Sequence, residues 1–147
     1  MKILKTCKIL FLISVLLINT SSIGAVLQAQ ESKAKEAHKV FLRIEEGLNS
    51  SAVDKFSNYF GDRNYLSFTN GTTGYYSANQ SYYVIKDFLS IYQTASFKLT
   101  NIVTETSTPF ASGSLKYNNS GIRGTASVFI SLHLIDNQWR ISQITIN

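Results

Sequence analysis

Apolar positions recur along the chain with several different spacings, and each marks a different kind of segment. Near the start, Lys2, Lys5 and Lys8 precede an apolar run over residues 9–18 and a small, polar stretch over residues 19–25. That order is the one found in a secretory signal, and the run is about half the roughly 20 residues that a membrane-spanning helix requires. Cleavage is expected after Ala29, with a cut after Gly24 as the alternative. From residue 31 to residue 48, Ala34, Ala37, Val40, Phe41, Ile44 and Leu48 fall three and four apart, the spacing of one helical face. Gly47 and the run Asn49, Ser50, Ser51 end this helix. Ser51 is placed to cap a second short helix carrying Val53, Phe56, Tyr59 and Phe60, with Gly61 closing it.

The period then changes to two. Residues 65–69 and 72–76 flank Asn70 and Gly71, a dipeptide suited to a tight hairpin turn. Ser77 and Gln80 have the spacing of a capping box, and the segment to Tyr92 carries Tyr82, Ile85 and Leu89 beside Val84, Phe88 and Ile91. This third helix is apolar nearly all round and is expected to be deeply packed. Residues 96–106, 110–117, 122–135 and 139–146 read as strands, rich in β-branched and aromatic side chains. Pro109, residues 118–121 and the pair Asp136, Asn137 supply the turns between them. Along the third strand of this meander Ile122, Gly124, Ala126, Val128, Ile130, Leu132 and Leu134 form one face, with Gly124 expected where the sheet curves or a helix approaches.

Composition adds what is excluded. Cys7, the only cysteine, precedes the apolar run and is removed with it, so neither a disulfide nor a thiolate metal site holds the mature chain together. The formal charge of +5 shrinks as well: Lys2, Lys5 and Lys8 leave with the signal, so eleven basic residues face nine acids, a net +2. Those eleven are scattered, whereas nucleic-acid binding requires a basic patch or stripe. The 118 residues from Gln30 to Asn147 suit a single α+β domain that reaches the periplasm or the exterior.

The element order, together with residues 47–60, the stretch YYSANQSYYVIKDFL from Tyr75, residues 124–132 and the ending WRISQITI, resembles domain-of-unknown-function family 4783, typical of exported Bacteroidetes proteins. That family lies within the nuclear transport factor 2-like superfamily, which includes SnoaL-like and ketosteroid-isomerase-like proteins. The resemblance implies a cone-shaped fold in which three helices from the N-terminal half pack on a curved, mostly antiparallel sheet. In enzyme members of the superfamily it implies an acid or base and a Tyr or Asp donor projecting into the cone, but no residue of this chain matches those positions. Such a fold hosts enzymes, binders and assembly modules alike.

The candidate chemistry is correspondingly sparse. His38 and His133 have no partner at metal-binding spacing, and no metal or cofactor is indicated. Acid–base work would fall to a carboxylate buried in the cone, with Asp62 and Asp87 the candidates ahead of Asp54 and Glu105. Tyr59, Phe68, Tyr76, Tyr82 and Trp139 are candidates to line a pocket for a flat apolar ligand, the alternative being that they fill the core. Phe129, Ile135, Ile144 and Ile146, read as outward-facing, would form an apolar patch at the superfamily's usual dimer surface. The expected function is that of an exported, non-catalytic module binding a small apolar ligand or an envelope protein. A small isomerase, dehydratase or hydrolase and a structural homodimer stay open as alternatives.

Overall fold

Six strands form one mixed sheet in the order β2-β1-β6-β5-β4-β3. The computed structural model describes the backbone of residues 2–147 and the side chains of residue 24 and residues 26–147. The expected signal segment and Cys7 therefore lie largely outside the described side chains. Contacts divide the chain into two units, Met1–Lys33 and Ala34–Asn147, and the buried apolar cluster of the described residues belongs to the second. The elements are α1 (Lys2–Asn49), β1 (Phe60–Phe68), β2 (Thr73–Tyr76), α2 (Ala78–Ile91), β3 (Gln93–Val103), β4 (Phe110–Asn119), β5 (Ile122–Ile135) and β6 (Gln138–Ile146). Among the described residues no helix is long and apolar enough to cross a membrane.

The fold is α+β, with two helices rather than three. Ser51 caps nothing downstream; its φ of 51° ends α1 in the left-handed region. The Ala52 N–H reaches back to the Gly47 carbonyl (2.8 Å) and the Ser51 N–H to that of Leu48 (3.4 Å), the bond pair of a Schellman ending. Gly47 is needed here because the Phe56 ring lies against it, 2.3 Å from where a Cβ would stand. After so abrupt a turn, residues 53–59 form only two single 3-10 turns, Val53–Lys55 and Ser57–Tyr59, neither with a side-chain cap. Phe60 and Gly61, assigned from sequence to the lost helix, instead open β1.

Ala37, Val40, Phe41, Ile44 and Leu48 of α1 are buried, as their spacing requires, whereas Ala34 at the start of the same stripe is half-buried. In α2 the capping box is present, Ser77 accepting from the Gln80 N–H and Gln80 from the Ser77 N–H. Its packing is one-sided, however: Ser81, Ile85, Phe88 and Leu89 are buried while Tyr83 and Ile91 are exposed, because the helix meets the core along a single stripe. The Asn70–Gly71 hairpin closes as a three-residue loop. Phe68 bonds both Gly71 and Thr72, and Gly71 takes the positive φ at 91°. Asp136 and Asn137, both at positive φ, make the two-residue turn that joins β5 to β6.

The core face of β5 is Ala126, Val128, Ile130 and Leu132, whereas Ile122 and Leu134 at its ends are exposed. Ile144 and Ile146 are not part of an outer patch. An extra residue in β6 reverses the alternation after Ile141 and brings both into the core. What approaches Gly124 is not a helix but the ring of its cross-strand partner Tyr117, and a Cβ would stand 2.4 Å from Tyr117 Cζ. From there a line of rings runs inward, with Tyr117 edge-on to Tyr92, Tyr92 stacked on Phe88 and Phe88 against Phe68.

Candidate functional site

Two irregularities in strand pairing meet on β6. On the β5 side Ser131 pairs with Gln143 but Leu132 with Ile141, leaving Ser142 as one residue too many. On the β1 side Phe60 pairs with Ile141 and Tyr65 with Gln143, so residues 61–64 of β1 stand opposite Ser142 alone. Ile141 and Ile144 both enter the core, and half-buried Ser142 and Gln143 lie between them. Bulges of this kind re-aim side chains and recur beside functional sites.

The side chains so displaced, with their neighbours, border an open hollow of about 500 Å³ lined by Arg63, Tyr65, Tyr75, His133, Ser142 and Gln143. It lies on the outer face of the sheet, since Leu66 and Leu132, which flank Tyr65 and His133 in sequence, point into the core. Tyr65 and Tyr75 face each other across β1 and β2 with ring centroids 5.2 Å apart. The Arg63 guanidinium carbon sits 4.1 Å from the Tyr75 centroid. Ser142 Oγ is 2.8 Å from Ser131 Oγ, and Gln143 Nε2 donates to Thr145 Oγ1 at 2.9 Å.

Fully buried Asn64 holds the β1 bulge in shape. Its Oδ1 accepts from the Gly61 N–H (2.9 Å), and its Nδ2 donates to the Gly61 carbonyl (2.8 Å), Ser81 Oγ (3.0 Å) and the Tyr76 carbonyl (3.2 Å). One amide thus ties the bulge to β2 and α2 and fixes where Arg63 emerges. The lining of the hollow includes Arg63 and His133 and no carboxylate. A second hollow of about 290 Å³ lies beside it, lined by Phe60, Gly61, Asp62, Ile135, Asp136 and Arg140. Arg140 is held there by the Asn58 carbonyl and Gln138 Oε1, each at 2.6 Å.

The residues singled out from sequence are dispersed. Asp62 is exposed in the second hollow and Asp87 is exposed on α2. All nine acids are among the described residues. Eight are exposed, and the ninth, half-buried Glu45, accepts the Leu99 N–H at 2.8 Å. Phe68 and Trp139 are buried in the core, while Tyr59, Tyr76 and Tyr82 are half-buried against it. The Tyr82 hydroxyl donates to exposed Asp54 at 3.1 Å. None of these five aromatics lines either hollow. His38 is exposed, whereas His133 is half-buried in the first hollow. Among the described residues no three His, Cys, Asp or Glu side chains are grouped to hold a metal ion.

Sequence reasoning passed over Arg63, Tyr65, Tyr75, Ser142 and Gln143. One signal was there to be read: the apolar residues of β6 fall at 139, 141, 144 and 146, and the break in alternation marks the bulge.

A family model described as a domain of unknown function, DUF4783, matches residues 41–147. A DUF4783 family protein from Bacteroides ovatus is 21% identical with a TM-score of 0.63, the match covering 71% of this chain and 90% of that one. A DUF4783 family protein from Bacteroides uniformis is 19% identical with a TM-score of 0.64, over 71% and 93%. A protein named "Rd1NTF2_04 with long sheet" is 12% identical with a TM-score of 0.60, over 76% and 99%. At these identities the likeness is one of fold. No curated protein matches the sequence.

Proposed function

For a chain that belongs to the DUF4783 family and has a nuclear transport factor 2-like fold, we propose that the function is that of an exported, non-catalytic binding module which takes its ligand on the outer face of the sheet. The observation that carries this reading is the hollow between the two bulges, where aromatic, cationic and hydroxyl groups converge on one open space.

Two further features support it. The space between the helices and the sheet is occupied by Phe41, Phe56, Phe88, Leu115 and Ile130, each at most 1% exposed, so the interior carries the packing. The carboxylate-based acid–base chemistry weighed from the sequence requires an inward carboxylate, and the nine acids stand on the surface or, for Glu45, on the backbone of β3. Export is supported by the order of the lysine-led start, apolar run and small polar stretch.

Export is tested by N-terminal sequencing of protein recovered from the envelope or medium. A chain beginning near Gln30 supports it, and one beginning at Met1 and held in the cytoplasm contradicts it. The binding reading is tested by screening small charged, hydroxylated and aromatic compounds against ¹⁵N-labelled protein. Amide shifts should concentrate at Arg63, Tyr65, Tyr75, His133 and Gln143. Shifts concentrated at Phe41, Ile85, Leu115 and Ile130 would contradict it.

A further inference from the structure

We propose that the hollow between the β1 and β6 bulges binds a carboxylated sugar, its carboxylate paired with Arg63 and its ring laid against Tyr65 and Tyr75. The inference rests on the reading that the protein takes its ligand on the outer sheet face, and it names the chemical class.

Arg63 is the anchor. Its guanidinium lies over the Tyr75 ring, 4.1 Å from the centroid, which restrains the side chain. Arg63 is exposed and, among the described residues, forms no ion pair. The lining holds no acid to compete for the fork. A planar carboxylate matches two parallel N–H bonds from one arginine. The lining adds no lysine or second arginine to this fork, which favours a monoanion over a phosphate dianion.

The rest of the lining decides what carries the carboxylate. Tyr65 and Tyr75 offer ring surface, while their hydroxyls, the Ser142 hydroxyl, the His133 ring and the Gln143 amide crowd polar groups around it. Gln143 keeps an N–H and its Oε1 beyond the bond to Thr145. A hydroxylated ring satisfies these groups, whereas an aromatic or aliphatic acid covers them without hydrogen bonds and pays their desolvation. A volume of about 500 Å³ accommodates one or two sugar rings.

The test is calorimetric titration of protein produced from the full chain with glucuronate, a glucuronate-containing oligosaccharide, glucose and benzoate. Glucuronate, free or at the end of the oligosaccharide, is expected to bind at least about tenfold tighter than glucose or benzoate, the margin of one charge-assisted bond pair. Tighter binding of the oligosaccharide identifies a polymer as the source, and equal binding a free sugar acid. Arg63→Gln should erase the advantage of glucuronate over glucose, and Tyr75→Ala should weaken both. Both side chains are exposed, so unchanged melting temperatures serve as the folding control. Equal affinity for glucose, an advantage that survives Arg63→Gln, or no binding at millimolar concentration would overturn the proposal. Shifts in the hollow with other compounds but not with uronates would sink the ligand class and leave the surface reading standing; shifts in the interior would sink both.

Discussion

Asn49 acts at the end of α1 as a substitute for backbone. Its Oδ1 accepts the Phe97 N–H and its Nδ2 donates to the Phe97 carbonyl, both at 2.7 Å, while Glu45 takes the Leu99 N–H two residues on. Since β3 is an edge strand, these side chains occupy backbone groups that would otherwise be open to another chain. Asn49→Ala is expected to cost about 1–3 kcal/mol in denaturant unfolding and to make association concentration-dependent, and Asn49→Asp, which keeps the acceptor alone, should fall between. Gly124→Ala places a methyl on the Tyr117 ring and should cost about 1–3 kcal/mol; in a Tyr117→Ala background the cost should shrink, which a double-mutant cycle measures. Glu46 joins Lys55 (2.8 Å) and Arg43 (2.9 Å), and their hydrogen bonds hold its carboxyl below the ordinary 4.5. Its contribution is therefore present above that pH and lost as pH falls through the lowered value. Thermal melts of Glu46→Gln should differ slightly from the parent at neutral pH and low salt, and the difference should vanish in acid or high salt.

At the scale of elements, what the sequence made legible was local. The capping box at Ser77 and Gln80, the buried stripe of α1 and the turn at Asp136 and Asn137 each depend on residues within one turn or hairpin, and each stands as read. The helix expected after Ser51 failed because the Schellman ending and the Phe56 ring on Gly47 reverse the chain too sharply for a second helix to start. The site failed for a different reason. Arg63 and Ser142 meet through parallel pairing of β1 with β6, segments close in space and far apart in sequence, and only the three-residue step from Ile141 to Ile144 betrays the bulge. Deleting Ser142 removes the extra residue and restores plain alternation with Ile144 and Ile146 still facing the core, so the variant should keep cooperative unfolding, as followed by near-ultraviolet circular dichroism, while the bulge itself is lost. Asn64→Leu removes the amide that pins the β1 bulge, leaving Ser81 Oγ and the Gly61 N–H short of a partner, and should destabilise by about 2–4 kcal/mol.

At the scale of the whole molecule, element order was enough for the α+β class, because that follows from how strands and helices alternate along the chain, while the family was legible in residue stretches such as the ending WRISQITI. Function was less legible, because the same framework carries pockets, partners or neither according to how its interior is filled and its faces are dressed. In this chain the aromatic residues offered for an interior pocket include Phe68 and Trp139, both buried in the core cluster, and polar groups converge instead where two bulges open the outer face. The central claim is that the interior is packed and the recognition surface lies outside it. Diffraction from crystals of the protein pressurised with xenon, which settles into empty apolar cavities, tests this most directly. The account predicts no ordered xenon between the sheet and the helix faces that bear Phe41 and Phe88, whereas a well-occupied xenon site among Phe41, Phe88, Leu115 and Ile130 would contradict it.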